Sequence, residues 1–116
     1  GADLSQANLQ YAWLEGADLR HVNFFGACFR DARLSRANLC HAMLMSTNCE
    51  RAMFERADFT EANLTEVNFR HAQLTGAIFT DATIKRTDFW ESRGLSPEAA
   101  EEFIKQFRKS CWLDLP

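Results

Sequence analysis

A chain of 116 residues makes one small domain or one piece of a longer protein, with no room for a catalytic domain beside a regulatory one. Its 47% hydrophobic and 25% charged residues exclude intrinsic disorder, and a mean hydropathy of −0.31 without an apolar run near ~18 residues excludes a transmembrane helix. A formal net charge of −3, from 13 basic and 16 acidic residues, predicts no strong non-specific affinity for nucleic acid or an anionic membrane.

From Leu4 onward every fifth residue is large and apolar. The series runs Leu4, Leu9, Leu14, Leu19, Phe24, Phe29, Leu34, Leu39, Leu44, Cys49, Phe54, Phe59, Leu64, Phe69, Leu74, Phe79, Ile84 and Phe89. Only Cys49 departs from Leu, Phe or Ile. Two residues before each member stands Ala, replaced only by Val22, Thr47, Val67 and Thr87, and the residue between is most often Asp or Asn. A period of five suits neither a helix, where steps of about 500° would spiral the stripe, nor a flat strand, where odd steps alternate faces. Each unit must therefore contain a turn. The small and large residues, two apart, point inward along a short extended stretch, and the remaining positions form an outward side and a corner.

Units such as Ala17-Asp18-Leu19, Ala37-Asn38-Leu39, Ala57-Asp58-Phe59 and Ala62-Asn63-Leu64 follow an A(D/N)LXX pattern that resembles the pentapeptide-repeat family. The resemblance implies an all-β solenoid, a right-handed quadrilateral β-helix in which twenty residues close one square coil. Eighteen repeats then give about four and a half coils. Stacking at a step of twenty sorts the large residues into columns, with Leu44 directly above Leu64 on face one and Phe54 above Leu74 on face three. The family is abundant in cyanobacteria and other bacteria. Its gyrase-protecting branch is described as dimeric mimics of duplex DNA, paired through C-terminal elements.

The organisation expected is a pentapeptide-repeat β-helix over 1–91, a linker over 92–95, and a C-terminal capping helix and tail over 96–116. The first coil, in phase from Ala2, would expose an unpaired edge, which predicts either a longer natural chain or a partner at that end. After Phe89 the period stops. Ser96-Pro97 reads as an N-cap and first helical residue, and Ala100, Phe103, Ile104, Phe107 and Cys111 fall on one helical face. Trp112, Leu113 and Leu115 exceed what a cap needs and form the candidate contact of a homodimer through this end.

No residue set suggests catalysis, a cofactor or a small-molecule substrate. Four cysteines show no CxxC and no spacing suited to a bridge, so reduced thiols in the cytoplasm are expected. Cys49 reads as a buried small hydrophobe. His21 and His41, twenty apart, should stack one rung apart without an evident third ligand, so no metal is expected. Apolar residues in outward slots carry more information. Phe25, Met43 and Met45 should cluster on face one and are the candidate partner surface. The function expected is a non-catalytic scaffold binding a protein partner through its faces or ends, without direct contact to nucleic acid or membrane. The alternative is a DNA-mimicking protein that binds DNA gyrase, against which the mixed charges of residues 1–91 weigh.

Overall fold

A computed structural model describes residues 1–111, with side chains as far as Gln106. Every bridge is parallel and joins residues twenty apart, from Asp3 with Asn23 to Gln73 with Arg93. Each coil thus has four sides of five residues, each side contributing one bridged residue. Leu44 N–H donates to the Asn63 carbonyl at 2.9 Å, which sets Leu44 over Leu64. Three backbone bonds tie each interior side to the rung below. For face one these are Leu4 N–H to Asn23 O, Gln6 N–H to Phe25 O, and Asn23 N–H back up to Ala2 O.

The corners explain the period. Within each unit the small inward residue closes a tight turn on the large one before it, as Ala7 N–H does on Leu4 O at 3.1 Å. The residue just before that small one has positive φ. Fifteen non-glycine residues at these corners, from Gln6 to Glu91, have φ between 52° and 62°. Positive φ at the third position is what a type II turn requires, and it costs an L-residue roughly 1–2 kcal/mol.

The central Asp or Asn offsets part of that cost. In all ten repeats that have one, from Asp3 to Asp88, its Oδ1 accepts the backbone N–H two residues on at 2.9–3.3 Å. The side chain therefore satisfies the one turn amide that no rung can reach. Thr60 and Thr65 add hydroxyl bonds to the same acceptors, Asp58 Oδ1 and Asn63 Oδ1.

Inside, four walls converge and the space is filled. Phe24, Phe29, Phe54, Phe59, Phe69 and the leucines between them are fully buried, with alanines packed beside them. Rings stack rung on rung: Phe59 over Phe79 at 5.0 Å and Phe69 over Phe89 at 5.3 Å between centroids. At the irregular repeat the buried Thr47 hydroxyl donates to Leu44 O at 2.9 Å, so the extra polar group is paired. The first coil is covered on one side only, and Leu4 remains 38% exposed.

The ladder ends at Arg93, followed by Gly94 with φ of +85°. Helix α1 then spans Pro97–Cys111. Ser96 Oγ accepts the Ala99 N–H at 3.0 Å, capping its first turn. The packed face differs from the one expected. Ile104 is 52% exposed, whereas Ala99 is buried and Phe103 packs on the core, a rotation of about one residue. The reason is steric. Phe103 stacks on Phe89 at 4.6 Å, prolonging the Phe69–Phe89 column, and Ala99 one turn earlier is small enough to let the helix lie close. Among the described residues no helix is long and apolar enough to cross a membrane.

Candidate functional site

With the interior filled, the side chains free to act are those of the outward columns. On face one Met43 lies below Asn23, and Met45 lies below Phe25, whose neighbour Gly26 donates its N–H to Met45 O at 3.0 Å. Phe25 is 43% and Met43 39% exposed, while Met45 is half-buried at the corner between them. The fold thus brings together the three residues singled out from the sequence, with two carrying most of the accessible area. Trp112, Leu113 and Leu115 lie outside the described residues.

Two other exposed aromatic rings, Trp13 and Trp90, each have a cation beside them. The Arg33 guanidinium lies 4.8 Å from the Trp13 ring, and Arg70 lies 5.5 Å from that of Trp90. Charged side chains pair along the columns: Arg51 with Asp31 at 3.1 Å, Arg70 with Asp88 at 2.7 Å, Arg86 with Glu66 at 3.4 Å, and Arg30 with Glu50 at 3.7 Å. Pairs this exposed contribute little stability each. Their effect is on the field, because a surface alternating in sign presents no long stripe of either.

His21 and His41 stack face to face, 4.9 Å between centroids and 7° from parallel, and His41 Nε2 meets Glu61 Oε2 at 2.9 Å. Parallel rings point their nitrogens along the face rather than toward a common point. Among the described residues no three His, Cys, Asp or Glu side chains are grouped to hold a metal. Cys49 is fully buried, and burial pushes its thiol up to about 12, so it stays protonated and unreactive. Burial also raises the Cys40 thiol, and the nearby Asp58 carboxylate raises it further.

A feature that the outward apolar pattern does not reveal lies at the lower end of face four. There a groove of about 320 Å³ opens between residues 77–81 and the first turns of α1. Its lining joins residues 77–81 with Ser96, Glu98, Ala99 and Glu102 of the next element, which no single periodicity can flag. The available signal was the end of the period before Ser96-Pro97, where the chain turns into α1 instead of a further rung on this face.

The family model for pentapeptide repeats matches this chain in eight copies, over residues 2–39, 29–60, 42–81 and 54–90. Among solved structures, a pentapeptide repeat protein from the Arabidopsis thaliana thylakoid lumen is 27% identical, with a TM-score of 0.53 over 90% of this chain and 72% of that one. A pentapeptide repeat protein from Nostoc PCC 7120 is 24% identical, with a TM-score of 0.61 over 84% of this chain and 80% of its own, a likeness of fold alone. QnrB1, a plasmid-mediated fluoroquinolone resistance protein, matches at 16% identity and a TM-score of 0.40, too distant to bear on function. No curated protein matches the sequence. The solved relatives imply the right-handed quadrilateral β-helix for these stacked rungs.

Proposed function

This chain belongs to the pentapeptide-repeat family, and on that basis we propose that it is a non-catalytic scaffold that holds a protein partner against its outer faces or ends. In this reading the rungs, whose last bridge is at Arg93, form the β-helix, and α1 caps its lower end. The observation that carries it is the apolar cluster of Phe25, Met43 and Met45 on face one, set on rigid rungs above a fully packed core. Contiguous exposed apolar surface that no cation covers is what a partner's own apolar residues would bury. A rigid platform binds without an ordering cost of its own.

The reading as a duplex-DNA mimic that binds DNA gyrase needs a continuous acidic surface. Here acids alternate with arginines along the columns, which supports the scaffold instead. The deciding experiment is quantitative affinity capture with the wild type and the Phe25→Glu/Met43→Glu variant, both verified as folded by circular dichroism. Selective loss of wild-type partners is the expected result; an unchanged partner set would overturn the assignment of face one. Gyrase supercoiling should proceed unaltered in the presence of the purified chain.

A further inference from the structure

Each interior side of the solenoid spends two N–H groups and one carbonyl on the rung beneath it. On face four the last rung is residues 77–81. Below it the chain has already turned into α1, so Glu98, whose N–H would meet Ala77 O in the register of the ladder, lies in the first turn of a helix instead. Among the described residues the Ala77 carbonyl receives no donor, and the Phe79 and Asp81 N–H groups reach no acceptor. The neighbouring sides are treated differently: Gln106 pairs with the edge of face one, and Phe103 stacks over Phe89 on face two. Only on face four does the unpaired edge border the groove of about 320 Å³.

The same groove gathers Asp81, Glu98 and Glu102, none of which meets a cation among the described residues. Three carboxylates outweigh the roughly half positive charge of the nearby helix N-terminus. The half-exposed Ile78 side chain adds an apolar wall.

We propose that this groove takes an extended, lysine- or arginine-bearing segment of a partner protein, which adds to face four as one more parallel rung. In the register of the ladder, the partner residue opposite Ile78 donates its N–H to Ala77 O and accepts from Phe79 N–H. The carbonyl two residues on accepts from Asp81 N–H. Main-chain bonds hold the segment, and the carboxylates select its basic side chains. This deepens the scaffold reading and rests on it, by naming one partner chemistry and one end of the rod.

The test uses the whole chain and a fluorescein-labelled peptide, Val-Lys-Val-Lys-Val-Lys, followed by fluorescence anisotropy. Saturable binding that weakens with salt is expected. N-methylation of alternate peptide amides should weaken it at least tenfold, as should the Asp81→Asn/Glu98→Gln/Glu102→Gln variant, whose surface changes leave the core untouched. The Phe79 amide should gain protection from hydrogen exchange when the peptide binds. Absence of binding, indifference to N-methylation, or equal binding of a Val-Glu peptide would overturn the proposal. The Phe25→Glu/Met43→Glu variant, altered on another face higher in the stack, should bind the peptide normally. Failure of the face-one assignment and failure of the groove are therefore read separately.

Discussion

The side-chain carbonyl of Gln106 accepts the backbone N–H of Ile84 at 3.0 Å, the hydrogen that a further rung's carbonyl would accept. The amide nitrogen of the same side chain donates to Ala82 O. One glutamine thus stands in for two backbone groups of an absent rung, while Phe103 replaces that rung's core residue. Gln106→Leu would leave a donor and an acceptor at a covered edge without partners, at about 1–3 kcal/mol. Gln106→Glu keeps the acceptor and loses the donor, so it should fall between. Urea unfolding with exchange protection read at Ile84 checks the order; equal stability of all three chains would mean that the contact contributes nothing.

The central Asp and Asn side chains make a second set of predictions. Asn63 Oδ1 accepts the Thr65 N–H at 3.1 Å and the Thr65 hydroxyl, both within a turn whose corner, Glu66, has φ of 59°. Asn63→Ala strips the turn amide of its acceptor while leaving both core neighbours in place. A loss of about 1–2 kcal/mol is expected, and Asn63→Asp should retain most of the stability. Thermal melts of the three chains decide it. If Asp and Ala behave alike, the side-chain bond is not what the position requires.

Much of this was legible because the repeat is one-dimensional. A strict period of five with a small and a large residue two apart leaves few foldings, and the step of twenty then stacks His21 on His41 and Met45 under Phe25. The chemistry of the Asp/Asn position was not legible, since its bond is made to backbone and leaves no second residue type in the pattern. Positive φ at His41 or Arg51 was equally hidden, because fifteen of these corners are filled by ordinary side chains in place of glycine. The face of α1 was misplaced by a residue because helical periodicity alone scores Ile104 and Phe103 alike. Only the position of the Phe89 ring decides between them.

Acid should act on a local pair. Arg20 donates from Nε and Nη2 to the two oxygens of the Asp18 carboxylate at 2.8 Å and adds its own backbone N–H, and these bonds hold Asp18 down at about 2. The folded form therefore binds this proton less readily than the unfolded chain, whose carboxyl titrates near ~3.9. The contribution is complete above that value and disappears as pH falls through about 2. In Asp18→Asn the stability difference from wild type should be flat from neutrality to about pH 4 and shrink between there and about pH 2. Carbon-detected NMR titration of Asp18 gives the direct reading. A midpoint near ~3.9 would show that the pair has no effect in solution.

Gly94 and Gly16 separate backbone strain from steric exclusion. Both have positive φ, +85° and +69°, so alanine at either must adopt a conformation that costs about 1 kcal/mol. Around Gly16 there is nothing within 4 Å of where a Cβ would stand. At Gly94 the same atom would fall 2.6 Å from Thr75 N and 2.7 Å from Thr75 Cα, which are backbone atoms of the rung above and cannot move aside. Gly94 occupies the slot where the next large core residue would sit, so the chain can leave the ladder here only because that side chain is missing. Gly16→Ala should lose roughly 1 kcal/mol, and Gly94→Ala about 2–4 kcal/mol, with weakened exchange protection along Leu74 and Phe103. Matched losses in the two variants would mean that the exit from the ladder is set by φ alone and not by the closeness of Thr75.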